Sequence, residues 1–292
     1  MAKASLKDLE AKCDELKNEL DNLHQLFGLD KLCIVGDTET TGLITDKTNP
    51  DIARILEYSF IKFKTHIDAD KNGKPDVKFE IIDKIDIYLN PEAPLSPEII
   101  KFNEENKTGI TNDGKYDIIE FKDGTIVKLK DLPTQAEGAQ HLKDFLQDAE
   151  YLTVGHNMEK YDKPLLDFMM SGIGESFAPE HVFDTLITAR AIHAELEEAV
   201  GSELKRIYDN GKIGPDNRLG PIMEKTPKTY FKSADAAILH TSAADILATL
   251  DVLKLELEQV PQTQKYADAL TKYREVDSQI KKLKKSKELI QD

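Results

Sequence analysis

Asp37 and Glu39 stand two residues apart in Gly36-Asp-Thr-Glu-Thr-Thr-Gly-Leu43, directly after the apolar run Leu32-Cys-Ile-Val. Residues two apart in a strand share a face, so both carboxylates can converge on one point. Two carboxylates beside a glycine-containing turn offer hard oxygen ligands for Mg²⁺ and open backbone for a ligand to approach. A second group is Gly155-His-Asn-Met-Glu-Lys-Tyr-Asp-Lys-Pro-Leu-Leu166, in which a short strand delivers His156 and Asn157 and Asp162 begins a helix. Read alone, Asp162 with Pro164 behind it is also ordinary helix-start chemistry, with Asp162 as the N-cap. The third group, His240-Thr-Ser-Ala-Ala-Asp245, runs into Ile246-Leu-Ala-Thr-Leu250. It places Asp245 on the first turns of a helix and His240 at or just before its start.

Strands must carry the first two groups and a helix the third. Leu32–Gly36 reads as a buried central strand, and Arg54–Phe63 and Phe79–Leu89 as further strands. Asp123-Gly124, between Ile118–Phe121 and Thr125–Leu129, predicts a hairpin, because that dipeptide accepts positive φ. From Thr134 the pattern turns mostly helical, broken by one short strand at Tyr151–Gly155. Strands followed by helices predict an α+β domain or an α/β domain with a mixed sheet. Gly201–Ser233, rich in Gly and Pro, reads as an irregular insertion.

Two heptad helices bracket this middle. Leu6, Leu9, Cys13, Leu16, Leu20, Leu23 and Phe27 recur in steps of three and four, and Gly28 suits a helix stop. Ala269, Tyr273, Val276, Ile280, Leu283 and Ile290 follow the same register, interrupted by Lys287, with Pro261 separating them from the helix before. The expected organisation is therefore an N-terminal heptad helix over 1–28, a central domain over 30–258 with insertions near 116–130 and 201–233, and a C-terminal heptad helix over 262–292. The N-terminal arm is net acidic and the C-terminal arm net basic, so the terminal helices are expected to pair with each other or across a homodimer.

The chain has 292 residues, of which 40% are hydrophobic and 32% charged, enough apolar material for a sizeable core. No apolar run approaches the ~18 residues of a membrane helix, so no membrane partner is expected. Only Cys13 and Cys33 occur, too few for a disulfide framework, which predicts a reduced, cytoplasmic protein. A net charge of −15 excludes a generic basic nucleic-acid coat, since counterion release needs Lys and Arg facing phosphates. It does not exclude an enzyme that grips a nucleic-acid end through metal ions.

Together and in order, the three groups resemble the three motifs of the DEDDh 3′–5′ exonuclease superfamily, the RNase H-like group that contains the DnaQ/epsilon-like proofreading exonucleases. The first motif, Asp-Thr-Glu-Thr-Thr-Gly-Leu, is unbroken, and His240 with Asp245 keeps the spacing of the third. In the second, Met158, Glu159 and Lys160 make three residues between His-Asn and Tyr-Asp where the family usually has two, which looks like the three-prime repair exonuclease branch. Asn90–Pro97 with Thr108-Gly-Ile-Thr111 resembles the family's strand-to-helix connector, and Phe183-Asp-Thr-Leu186 its later helix start. The resemblance runs from about Leu32 to Leu255 and leaves out the arms and the hairpin at Asp123.

The resemblance implies an RNase H-like mixed central sheet flanked by helices, and a two-ion hydrolysis of phosphodiester bonds at a DNA 3′ end. Asp37, Glu39, Asp162 and Asp245 would hold two Mg²⁺ ions, with Mn²⁺ as substitute, and His240 would serve as general base. The backbone at Thr38 and Thr40, the Gly42 turn and the Leu43 side chain would border the terminal nucleotide, with His156 and Asn157 near the scissile phosphate. Asp167, Asp184 and His193 read as helix-surface or capping residues. The expected partner is a nucleic-acid 3′ end, single-stranded DNA favoured. The alternatives are an exoribonuclease of the same superfamily and a non-catalytic nuclease-fold scaffold for replication or repair partners.

Overall fold

The structure is a computed structural model and describes residues 5–29, 31–42, 53–147, 152–188, 219, 229 and 240–291, with side chains of the last stretch to residue 286. Leu43, His193 and nearly all of the 201–233 insertion lie outside the described residues. The chain divides into two compact units. One holds residues 32–63 and 81–255, the other 1–31, 64–80 and 256–292.

The first unit is built on a five-stranded sheet. β1 (Cys33–Thr40) is central, β2 (Ile55–Ala69) lies antiparallel beside it, and β3 (Pro75–Tyr88) forms the edge beyond β2. On the other side β7 (Leu152–Gly155) runs parallel to β1, and β8 (His181–Asp184) parallel to β7. Parallel neighbours need a crossover, supplied between β1 and β7 by a route that includes α2 (Pro97–Asn106) and α3 (Gln135–Leu146). α4 (Asp162–Ser171) follows β7, and α5 (Ser242–Gln259) follows β8.

Alternation along β2 separates two faces. Tyr58 and Phe60 join Ile34, Leu142, Leu165, Leu166 and Met169 in the core beneath α3 and α4. Ser59 points the other way, where its hydroxyl lies 2.9 Å from that of Ser242 at the start of α5. Helices thus cover both faces, which accounts for the near-continuous burial of β1 and β2. β1 continues past Gly36, because its ladder with β2 persists to the Thr40–Ile55 pair. Asp37 and Glu39 therefore lie inside the strand rather than at its end.

The hairpin at Asp123-Gly124 forms as part of a small sheet of β4 (Ile110–Asn112), β5 (Asp117–Glu120) and β6 (Ile126–Lys128). Gly124 takes φ +83°, and the Asp123 carboxylate accepts the Thr125 N–H at 2.9 Å. Leu56, Leu95, Ile110, Ile119 and Leu129 form the core under this sheet.

In the second unit α1 (Leu6–Phe27) packs along α6 (Pro261–Gln291). Ser5 and Asp8 form a reciprocal capping box at the start of α1, and Gly28 ends it at φ +57°. Leu16, Ala269 and Ile280 are buried in this unit, and Lys284 reaches Glu10 at 2.9 Å. Residues 64–80, the distal part of the β2–β3 hairpin, belong to the same unit: Arg274 pairs with Asp68 at 2.7 Å, and Gln264 donates to the Gly73 carbonyl at 2.9 Å. No helix among the described residues is long and apolar enough to cross a membrane.

Candidate active site

Strand alternation puts Asp37 and Glu39 on the α5 side of β1 and turns Thr38 to the opposite side. There Thr38, itself 5% exposed, donates its N–H at 3.0 Å and its hydroxyl at 2.7 Å to one oxygen of Asp162. Asp162 is the first residue of α4 with Tyr161 before it, so its carboxylate is committed to β1 rather than to capping its own helix. Asp245 lies on the first turn of α5 and accepts the His240 N–H at 3.3 Å. His240 sits just before α5 at φ +78°, a left-handed conformation that costs a β-carbon residue energy and is held by its surroundings. Its ring meets Phe102 of α2 edge-on at 5.6 Å.

These segments bring four carboxylates together. One ligand atom each from Glu39, His240 and Asp245 lie within 4.8 Å of one another. Burial, then Asp162, Asp245 and Glu39, hold the Asp37 carboxyl well above the usual carboxylate range. Burial and then Asp245 do the same to Glu39. Burial lifts Asp162 to about 7 against the two Thr38 hydrogen bonds, and lifts Asp245 to about 7 with help from Asp162. His240 remains exposed at the rim of the cluster, and partial desolvation shifts its imidazole below the ordinary value, which favours the neutral form. A partly buried oxygen-rich cluster whose members repel one another fits hard divalent cations, whose charge would relieve the repulsion.

The other residues singled out by the sequence have different places. Thr40 and Tyr161 both direct their hydroxyls at the Gly42 carbonyl, at 2.8 and 2.9 Å, and lie 2.6 Å from each other, fixing the turn that follows β1. His156 Nδ1 lies 2.9 Å from the Thr185 hydroxyl, and Asn157 takes φ +72° with its N–H on Asp184 at 2.9 Å. Both are thus tied to the end of β8. Asp184 reads from sequence as a surface or capping residue; it does accept the Leu186 N–H at 3.0 Å, but it is buried and also holds the Asn157 and Glu159 N–H groups. Asp167 accepts the Phe177 N–H at 3.0 Å.

Sequence reasoning missed Glu57. It pairs with Glu39 across the β1–β2 ladder, is 2% exposed, and is hydrogen-bonded by Ser242 and by the Ala243 backbone at the start of α5. Burial and then Asp86 push it up to about 8. The signal available was an acid inside the apolar run Ile55-Leu-Glu-Tyr-Ser-Phe60.

The described residues thus form a mixed sheet with Asp-x-Glu on its central strand, an aspartate opening one helix and a His–Asp pair opening another. Solved structures that share this fold include those of exonuclease I. A zinc-bound complex of the E. coli enzyme with single-stranded DNA matches at 17% identity and a TM-score of 0.51, covering 81% of this chain and 42% of that one. A complex of the E. coli enzyme with a 5cy-dA13 oligonucleotide matches at 18% identity and 0.51, covering 81% and 42%. A further exonuclease I structure gives 16% and 0.51, covering 81% and 43%. The chain thus spans about two fifths of the length of the exonuclease I chains it matches, and at these identities the likeness is one of fold. No family model and no curated protein sequence matches the chain.

Proposed function

We propose that the protein is a divalent-metal-dependent 3′–5′ exonuclease acting on single-stranded DNA. The observation that carries this reading is the convergence of Asp37, Glu39, Asp162 and Asp245, from three distant segments, on a fold shared with exonuclease I. Asp37, Glu39, Asp162 and Asp245 would hold two Mg²⁺ or Mn²⁺ ions, which when bound acidify a water and neutralise charge on the phosphate. His240, its imidazole pushed below the ordinary value by partial desolvation, takes the proton of the attacking water on a ring nitrogen. Its left-handed backbone and the Phe102 ring set the direction of the imidazole. Thr38 keeps Asp162 facing the cluster, and Thr40 with Tyr161 holds the Gly42 turn, which borders the terminal nucleotide together with Leu43. Asp184 and Thr185 brace His156 and Asn157, which shape the pocket of the scissile phosphate. In this reading residues 30–258 form the catalytic part and the two terminal helices an accessory arm.

The test is digestion of 5′-labelled single-stranded DNA and RNA of equal sequence, with Mg²⁺ or with EDTA. DNA shortened from its 3′ end only with metal is the expected result. RNA degraded in preference to DNA would move the protein to the exoribonucleases, and no cleavage of either would leave the scaffold reading.

A further inference from the structure

Three lysines gather around one tyrosine on the small sheet. The ammonium groups of Lys130, Lys128 and Lys115 lie 4.3, 4.4 and 4.9 Å from the centre of the Tyr116 ring. The ladder explains the gathering. Ile118 pairs with Lys128 at one end of the β5–β6 ladder, and Tyr116 just before β5 and Lys130 in the 3-10 turn Leu129–Asp131 just after β6 come to that same end. Lys115 joins them from the turn before β5, which the Asp113 carboxylate holds by accepting the Lys115 and Tyr116 N–H groups at 2.9 and 2.7 Å.

Each ammonium gains ~0.5–1 kcal/mol from the ring, but like charges this close repel one another. Asp113 attracts Lys128 and Lys115, which offsets part of the excess. Asp117 is spent elsewhere, one oxygen on the Asn112 amide at 2.7 Å and the other on the Leu95 N–H at 2.8 Å. Around the ring the lysines outnumber the acids, in a chain whose net charge is −15. Beside the ring opens a cleft of about 460 Å³ lined by Pro91, Pro94, Lys115, Tyr116 and Lys130, with Glu92 as a further carboxylate in the lining. That volume falls in the ~300–1,000 Å³ range of ligand clefts.

We propose that this cleft binds single-stranded nucleic acid, its lysines turning from the Tyr116 ring to backbone phosphates and freeing a face of the ring to stack a base. Which strand it seats rests on the exonuclease reading: the substrate, a few nucleotides upstream of the 3′ end. Asn90–Leu95 leads from the cleft into α2, whose Phe102 meets His240. At 1.5 Å per residue the cleft lies roughly 10–15 Å from that contact, the span of about three or four stacked nucleotides at ~3.4 Å each. Basic side chains around an aromatic platform are what sequence-tolerant binding of single strands requires. An acidic peptide would use the charges and leave the ring and the proline wall idle.

The test is fluorescence anisotropy of a labelled oligothymidylate of roughly twelve nucleotides, within the ~4–16 range of single-strand site sizes, with the full chain in EDTA across a salt series. Lys115→Ser/Lys128→Ser/Lys130→Ser should bind at least ~10-fold more weakly, with a log–log salt slope shallower by ~0.7 for each phosphate that no longer meets a lysine. Tyr116→Leu should lose ~5- to 100-fold, the worth of one stacked base, with little change of slope. Melting curves matching wild type verify the fold of each variant. Unchanged oligonucleotide binding in both variants would overturn the proposal, and so would displacement of the oligonucleotide by inorganic phosphate at equal concentration of phosphate groups. A wild type that binds through these residues yet degrades no nucleic acid would sink the exonuclease reading and leave the site standing. Degradation of DNA with unaltered binding by the variants would do the reverse.

Discussion

Replacing Asp162 by Asn should stabilise the metal-free protein while abolishing its catalysis. Asp162 is 2% exposed, and burial lifts its carboxyl from 3.8 to about 7. An acid whose pKa is higher folded than unfolded favours folding only while it holds its proton. That contribution is complete below 3.8, is lost as pH rises, and is gone above about 7. Roughly three pH units at ~1.4 kcal/mol each set an upper bound of ~4 kcal/mol. The neighbouring carboxylates share protons with Asp162, so ~2 kcal/mol is the lower figure. Asn keeps an oxygen for the Thr38 N–H and hydroxyl and carries no charge. With an unfolding entropy of ~0.6 kcal/mol/K for a chain of this length, Asp162→Asn should melt ~3–6 °C above wild type in EDTA at about pH 8. The two should converge near pH 4. Added Mg²⁺ should raise the wild type and leave the variant nearly unmoved. Thermal melts by circular dichroism at both pH values decide it. A variant that melts below wild type in EDTA at the higher pH, or a wild-type advantage that grows with pH, would refute the reasoning.

His240→Ala should slow hydrolysis by ~10²–10⁴ yet preserve the Mg²⁺-induced rise in melting temperature; loss of that rise would make His240 a ligand, as its closeness to Glu39 and Asp245 permits. Asp184→Ala strands the N–H groups of Asn157, Glu159 and Leu186, so urea melts should show a loss of ~3 kcal/mol or more. Asp184→Asn, which keeps one acceptor, should lose less than half of that, and equal losses would mean the charge rather than the hydrogen bonds matters. Deleting residues 1–27 uncovers the α6 seam around Ile280, and light scattering should report lower solubility or a larger assembly while nuclease activity persists. An unchanged mass and melting temperature would argue that α1 protects nothing.

The chemistry of the centre was legible because strand alternation and helix starts act locally. Asp37 and Glu39 had to share a face wherever their strand ended, and Asp245 had to follow His240 by about one turn. The strand's true end was not legible, because the ladder partner that carries β1 to Thr40 comes from residues 55–63, and no local pattern reveals a register. Glu57 escaped notice for a related reason. An acid in an apolar run reads as an edge position until its contact with the start of α5, far along the chain, is known. The sequence around Asp184 suggests only a local cap, whereas two of its three N–H partners come from the distant His156–Glu159 turn. The heptads were plain in both terminal helices, but the grouping of residues 64–80 with them depends on pairings such as Arg274–Asp68 that only tertiary structure supplies.

The most direct test of the central claim is a time course on 5′-labelled single-stranded DNA, with a free 3′-hydroxyl or with phosphorothioate linkages at the 3′ end, in Mg²⁺ and in EDTA. The predicted result is a ladder that shortens from the free 3′ end in Mg²⁺, stalls on the protected end, stays intact in EDTA, and is absent with Asp162→Asn. Equal cutting of both substrates at internal positions, cleavage in EDTA, or an Asp162→Asn protein as fast as wild type would contradict a metal-dependent 3′–5′ exonuclease centred on these four carboxylates.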